Sequence, residues 1–235
     1  MKRHLKRYTA PRTWKISRKR HTWTFRPHPG GHKFENSIPL GLLVRDYFEF
    51  CRTGREARRL IGQGDIKIDR RVVKDYKRPV GFMDVISIDK LHKHYRLLFD
   101  LKGKITLVEI PEKNAEWKLV RIENKRNVKG GQIQLNLHDG RNIIVNREIY
   151  KPGDVLKIQL PEQKIVDHFP AKEDFLAMVT NGKHAGKIAV IESIEIVRSS
   201  QPNKVHFKEG FSTIFPYTFV IGRKIPEIKI SEVRS

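Results

Sequence analysis

Positive charge that the chain cannot offset by itself is the first constraint on how these 235 residues fold. Lys and Arg number 48 against 26 Asp and Glu, a formal net charge of +22. Residues 1–36 alone hold 11 Lys/Arg and a single acid, Glu35, a net of +10. Such an excess repels itself unless a polyanion or counterions neutralise it. Nucleic acid is therefore the first candidate partner and an anionic membrane surface the second. Hydrophobic residues make up 38%, on the low side for a globular domain, so several small modules are expected in place of one large core.

The lone cysteine, Cys51, rules out an internal disulfide and fits a reducing compartment. The basic N-terminus lacks the apolar run of a secretory signal. No stretch approaches the ~20 apolar residues of a spanning helix. A soluble, cytoplasmic protein is expected.

Residues 1–36 read as a basic arm. Pro11, Pro27 and Pro29 break it, Gly30-Gly31 ends it, and its apolar residues are too sparse for a core. Two of the three tryptophans, Trp14 and Trp23, nevertheless lie there, so the arm is expected to order on a partner. Residues 37–90 read as a compact αα-β unit. Leu40, Leu43, Val44, Tyr47 and Phe48 form one helical stripe. Thr53-Gly-Arg-Glu56 matches a capping box opening a second helix with an apolar face of Ala57, Leu60 and Ile61, stopped by Gly62 and Gly64. Ile66–Asp69 reads as a strand, Arg70-Arg71 as a turn, and Phe82–Ile88 as a last strand. From residue 91 the pattern is all-β. Asp139-Gly140 marks a hairpin, Pro161 and Pro170 frame a linker, and residues 171–235 suggest a second small barrel.

Enzyme chemistry finds no support. Gly182-Lys-His-Ala-Gly186-Lys187 has three residues between its glycines and Ile188 after the lysine. A phosphate loop needs four, then Ser or Thr, and a helix where this segment alternates like a strand. One cysteine excludes a cysteine-based zinc site. His28 and His32 lie among Pro and Gly without an obvious carboxylate, and His92 and His94 alternate near a strand. Cys51 falls on the Leu40–Phe48 stripe, which reads as core and not as a nucleophile. No cofactor, metal or small-molecule substrate is expected.

The second predicted helix points Arg55 and Arg59 away from its apolar face and Arg58 to its flank. Arg52 precedes it, and Lys67, Arg70, Arg71 and Lys77 come after it. A planar guanidinium suits phosphate because it donates two parallel hydrogen bonds. A solvated charged face is the plain alternative, but a cluster this dense in a chain this basic favours RNA.

Thr53-Gly-Arg-Glu-Ala-Arg-Arg-Leu-Ile61 and Gly64-Asp-Ile-Lys-Ile-Asp69 resemble the two-helix RNA-binding module shared by a primary small-subunit ribosomal protein, pseudouridine synthases and tyrosyl-tRNA synthetases. Further segments narrow the resemblance. These are Lys2-Arg-His-Leu-Lys-Arg7 with Ala10-Pro11 and Trp14, Gly81-Phe-Met-Asp-Val-Ile-Ser-Ile-Asp-Lys90, and Phe219-Val-Ile-Gly-Arg223. Met178–Gly182 through Gly186–Ile191 is similar to a KOW motif. Together they resemble, along essentially the whole chain, the archaeal and eukaryotic family of small-subunit ribosomal protein four, "e" type. The length suggests the archaeal branch.

That resemblance implies an α+β fold: a small two-helix RNA-binding module followed by two small β-barrel-like domains, with a basic N-terminal arm. The expected divisions are 1–36 (arm), 37–90 (module), 91–170 (central β domain) and 171–235 (KOW-type domain). The implied function is that of a structural constituent of the small ribosomal subunit, without enzymatic activity, acting in translation. Small-subunit ribosomal RNA and neighbouring ribosomal proteins are the implied partners, with no membrane. Expected RNA contacts in the arm are Lys2, Arg3, Lys6, Arg7, Arg12, Trp14, Arg18, Lys19, Arg20 and Arg26. In the module they are Arg52, Arg55, Arg58, Arg59, Lys67, Arg70, Arg71 and Lys77, and at the KOW tip Lys183, His184 and Lys187. Trp14 and Trp23 are candidates for stacking on unpaired bases. An RNA-modifying enzyme and a transiently bound factor are the rival readings.

Overall fold

The computed structural model describes residues 4–19, 21–128, 130–146 and 149–229. The fold is mostly β with few helices. Among the described residues no helix is long and apolar enough to cross a membrane. The chain divides into two compact units, one running to Leu98 and including Lys104–Glu116, the other made of Phe99–Gly103 and the residues from Trp117 onward.

In the first unit, β1 (Leu5–Lys6) and β2 (Trp23–Thr24) pair as a short antiparallel ribbon within the arm. β3 (Ser37–Pro39) leads into α1 (Leu40–Leu42), which passes directly into a π-helical segment, Leu43–Tyr47. The Phe48 amide donates back to the Leu43 carbonyl at 2.9 Å. That five-residue span adds a residue to the turn and carries Tyr47 and Phe48 off the expected stripe. Leu40, Leu43 and Val44 are buried, whereas Tyr47 and Phe48 are half-buried. α2 (Gly54–Gly62) comes next.

The strands after it are β4 (Ile66–Ile68), β5 (Arg71–Val72), β6 (Pro79–Gly81), β7 (Val85–Ile88), β8 (Lys93–Phe99) and β9 (Ile105–Ile110). β3 pairs with β6, and the others form a sheet in the order β5-β4-β7-β8-β9. The β4–β5 turn is Asp69-Arg70, one residue earlier than expected. Both residues have positive φ, 50° and 65°, the conformation of a two-residue hairpin whose twist matches its strands.

Three expectations about segment boundaries are corrected. Phe82–Asp84 is a tight turn, not strand: Met83 has φ 70° and the Asp84 carboxylate accepts from the Gly81 amide at 2.9 Å. The first unit does not end near residue 90. Every residue of β7 is buried, and its free edge is covered by β8, with Val85 opposite Arg96 and Ile88 opposite Lys93. The segment between Pro161 and Pro170 is also no linker, because it contains a strand of the second unit.

The arm is likewise more than a tail awaiting a partner. Trp14 is 2% exposed and its indole Nε1–H donates to the Ser37 carbonyl at 2.7 Å. Phe34 packs edge-on against it at 5.9 Å. Arg7, also 2% exposed, donates to Asp46 at 2.7 Å and to the Ser17 carbonyl at 2.8 Å. Phe25 lies so near the starts of both helical segments that a Cβ at Gly41 or Gly54 would stand 3.1 or 3.0 Å from its ring. A side chain at either position would press on the ring, which would have to give by a few tenths of an ångström.

Among the described residues the second unit holds two five-stranded antiparallel sheets. The first comprises β10 (Trp117–Asn127), β11 (Ile133–Leu137), β12 (Asn142–Val145), β13 (Val155–Gln159) and β14 (Ile165–Phe169), in the order β12-β11-β10-β13-β14. β14 is the strand hidden between the prolines. Val120, Ile122, Leu135, Leu137, Leu156 and Ile158 build the core of this sheet, as the alternation of Ile133-Gln-Leu135-Asn-Leu137 requires. The second sheet comprises β15 (Leu176–Val179), β16 (Ile188–Glu195), β17 (Lys204–Phe207), β18 (Ser212–Ile214) and β19 (Thr218–Gly222), in the order β18-β17-β16-β15-β19. The Ser-Thr-Ile of β18 is too short to show a period in the sequence.

Truncating a buried aromatic to alanine costs about 3–5 kcal/mol. Trp14→Ala is therefore expected to lower the unfolding free energy of the first unit by that amount in chemical denaturation. A loss below about 1 kcal/mol, the scale of a surface substitution, would show that the indole is not part of the core.

Candidate nucleic-acid interface

α2 is fixed at its start by a reciprocal cap. The Glu56 amide donates to Thr53 Oγ1 at 3.3 Å, and the Glu56 carboxylate accepts from the amides of Arg52 at 2.9 Å and Thr53 at 3.3 Å. These two backbone bonds and the Thr53 hydroxyl, led by the Arg52 amide, hold the Glu56 carboxyl below its usual range. Ala57 and Ile61 are buried and Leu60 half-buried, so Arg55, Arg58 and Arg59 are turned to solvent. Arg55 and Arg59 form no salt bridge among the described residues. The Arg58 guanidinium lies 4.5 Å over the Tyr76 ring, which Lys77 also approaches at 5.6 Å. Tyr76 in turn meets Phe25 edge-on at 5.4 Å.

The hairpin cations differ in their freedom. Lys67 sits 2.5 Å from Asp89, and Arg70 lies 3.6 Å from Glu116. Arg71 is exposed, without a salt bridge among the described residues. Lys67 and Arg70 thus carry partly neutralised charge, while Arg52, Arg55, Arg59 and Arg71 present theirs openly.

In the arm the structure redirects three expected RNA contacts to the protein. Arg7 and Trp14 are buried in the first unit, on Asp46 and on the Ser37 carbonyl. The Arg18 guanidinium donates to the carbonyls of Arg7, Tyr8, Ala10 and Pro11 at 2.8–3.2 Å, closing the turn they form. Carbonyl oxygens turned inward need donors, and a guanidinium is the side chain that supplies several at once. Lys6, Arg12 and Lys19 are exposed and Arg26 is half-buried. Lys2, Arg3 and Arg20 lie outside the described residues. Trp23 is 54% exposed and Tyr8 83% exposed. Sequence reasoning singled out Trp23 and passed over Tyr8, along with Lys15 and Arg45; the density of aromatic residues in so basic an arm was the available signal for Tyr8.

At the tip of the second sheet, the Gly186 amide donates to the Val179 carbonyl at 2.7 Å and the Val179 amide to the Lys187 carbonyl at 2.9 Å. Gly186, at φ 80°, lies against the Asp100 carbonyl, where any Cβ would collide. His184 packs on Phe211 at 4.6 Å, and Lys187 Nζ stands 5.4 Å over the same ring. His184 is therefore half spent on the protein, while Lys183 and Lys187 remain exposed.

The histidines expected to lack carboxylate partners do have them. His28 meets Asp75 at 2.8 Å and His32 meets Asp84 at 3.0 Å. His94 is buried against Ser87 at 2.9 Å. Cys51 is half-buried beyond the end of the helical segment and not in the core, and burial pushes its thiol pKa up, away from the reactive thiolate. Arg96 is fully buried in β8 and donates to the Asn114 carbonyl at 2.8 Å. Burial lowers its pKa to about 10 against the opposing pull of Asp69, so it stays charged at neutral pH.

A family model described as the S4 domain matches residues 49–86, so the capped helix and hairpin define an S4-domain protein. The RS4NT (NUC023) domain matches residues 1–35, and the model described as ribosomal family S4e matches residues 91–165. The small ribosomal subunit protein eS4 of Methanothermobacter thermautotrophicus is 46% identical over 94% of this chain and 93% of its own. That of Archaeoglobus fulgidus is 48% identical over 94% of both. The crystal structure of the 30S ribosomal protein S4e from Thermoplasma acidophilum superposes with a TM-score of 0.72 at 36% identity, over 80% of this chain and 95% of that one. The chain belongs to the S4e family, a family of ribosomal proteins and not of enzymes.

The Glu56 cap gives a pH prediction. A carboxyl whose folded pKa is depressed contributes stability above its unfolded value and loses it as pH falls through the folded value. The melting temperatures of wild type and Glu56→Gln should differ above pH 4.5, Glu56's ordinary value, and draw together progressively as pH falls below it. A difference that persists unchanged to roughly pH 3 would contradict the cap.

Proposed function

We propose that the protein is a structural constituent of the cytoplasmic small ribosomal subunit that binds and stabilises ribosomal RNA and abuts neighbouring ribosomal proteins. The observation that carries this reading is the α2 surface. A capped helix with a buried apolar face presents Arg55 and Arg59 to solvent without a salt bridge among the described residues, with exposed Arg52 just before the cap and exposed Arg71 in the hairpin that follows. Guanidinium groups fixed on a rigid element suit the regular spacing of helical RNA phosphates. Membership in a ribosomal family supports the same reading.

Within this function the segments divide the work. Residues 1–36 supply the cations Lys6, Arg12 and Lys19 and the exposed rings of Tyr8 and Trp23. The rest of the first unit supplies the arginine face. The sheet of β10 to β14 forms a small barrel-like spacer, and residues 171–235 form a KOW-type barrel whose Lys183 and Lys187 meet RNA. Phosphate contacts give affinity without reading sequence. Specificity then comes from RNA shape and from several modules engaging at once, each raising the effective concentration of the next.

Because Trp14 and Arg7 belong to the core of the first unit, substitutions are a cleaner test than deleting the arm. Binding of full-length protein to small-subunit ribosomal RNA should weaken by roughly 10³–10⁵ between 50 and 200 mM salt, as for 6–10 phosphate contacts. Arg55→Ala with Arg59→Ala should flatten the log–log salt slope by about 0.7–0.9 for each phosphate left without its arginine. An unchanged slope would remove the α2 face from the interface. Equal affinity for an unrelated RNA of the same length would reduce the protein to a general polyanion binder.

A further inference from the structure

Beside the arm and the π-helical segment of the first unit lies a cleft of about 750 Å³, within the ~300–1,000 Å³ typical of small-ligand sites. Its walls carry Lys15, His21, Arg45 and Arg52 together with the apolar side chain of Ile16 and the thiol of Cys51. Two carboxylates, Asp46 and Glu49, also line it. Asp46 is already engaged, accepting from Arg7 at 2.7 Å and from Arg45 at 2.9 Å. Arg45 is held on its other side by Phe25, 4.9 Å from its guanidinium. That guanidinium is therefore fixed in place before any ligand arrives. Lys15 and Arg52 are exposed and form no salt bridge among the described residues.

We propose that this cleft receives one unstacked nucleotide of single-stranded RNA, with its phosphate on Lys15 and Arg52 and its base against Ile16 and the Arg45 guanidinium. The inference rests on the RNA-binding function proposed for the protein and adds to it the class of RNA. Cations and apolar surface in one concavity match a ligand with an anionic end and a flat, largely apolar face. A bare anion leaves Ile16 uncovered, and an apolar ligand buries the cations without partners, at high cost. An A-form duplex keeps its bases paired and offers a concave site only backbone. Unpaired nucleotides can be splayed out and laid on guanidinium planes. The arginine face of α2 and the cleft thus take two forms of the same polymer, one helical and one single-stranded.

Cys51 is the only cysteine of the chain, so labelling of the full-length protein by a maleimide reads the cleft directly. The labelling rate is measured alone, with a single-stranded oligouridine, and with an RNA duplex of equal phosphate count, while fluorescence anisotropy reports binding of each RNA. With oligouridine at about ten times its Kd the free fraction, and with it the rate, should fall about tenfold. Duplex at equal occupancy should leave the rate within about twofold. Lys15→Glu with Arg52→Glu should abolish the protection, and Lys183→Glu should not. Oligouridine carrying 4-thiouridine should crosslink to residues 15–21 or 45–52. Bound oligouridine that leaves Cys51 unprotected, or crosslinks confined elsewhere, overturns the cleft while the RNA-binding function stands. Equal protection by duplex also overturns it. Absence of binding by either RNA defeats the RNA-binding function and the cleft with it.

Discussion

The first unit depends on the burial of two arm side chains, the Trp14 indole and the Arg7 guanidinium. A segment with a net charge of +10 and few apolar residues does not by itself offset the entropy of ordering its backbone. It folds because both side chains reach acceptors beyond the arm: the Ser37 carbonyl for Trp14 and the Asp46 carboxylate for Arg7. The indole supplies apolar burial. The ion pair is close to energetic balance once desolvation is counted, and its effect is orientation. Asp46 gathers Arg7 and Arg45 onto one carboxylate, which turns Arg45 toward Phe25 and places Phe25 against Gly41 and Gly54.

This division of labour changes how the net charge of +22 should be understood. The cations differ in how far the protein itself engages them. Arg7, Arg18 and Arg96 are structural, engaged by carbonyls or carboxylates and withdrawn from solvent to differing degrees. Arg55, Arg59, Arg71, Lys183 and Lys187 are exposed without a salt bridge among the described residues, and they are among those a polyanion can reach. Lys67 and Arg70 stand between, held near Asp89 and Glu116. Total charge sets the attraction to RNA; the partnered fraction decides where that attraction is felt.

What was legible in the sequence was local. Thr53 and Glu56 are three residues apart, so their cap could be read from the chain alone, as could the Asp139-Gly140 hairpin and the alternation of Ile133–Leu137. Features set by distant partners could not. Nothing near Arg7 announces Asp46, 39 residues away, and nothing near Trp14 announces the Ser37 carbonyl. The π-helical segment keeps the residue types of an ordinary helix and differs only in where Phe48 donates. β14 reads as a linker because its flanking prolines are stronger local signals than Ile165-Val-Asp-His-Phe169, whose pairing with β13 is a tertiary fact. The family resemblance covered the whole chain, yet residue roles in the arm still required the fold.

Hydrogen exchange at the Trp14 indole in the RNA-free, full-length protein tests most directly whether the arm is part of the folded scaffold. If its Nε1–H is buried and bonded to the Ser37 carbonyl, it should exchange slowly, alongside the amides of the β4–β7–β8 sheet and not with those of fraying segments. Exchange at the rate of a free indole, becoming slow only when RNA is added, would contradict that picture and return the arm to the status of a tail that folds on its partner.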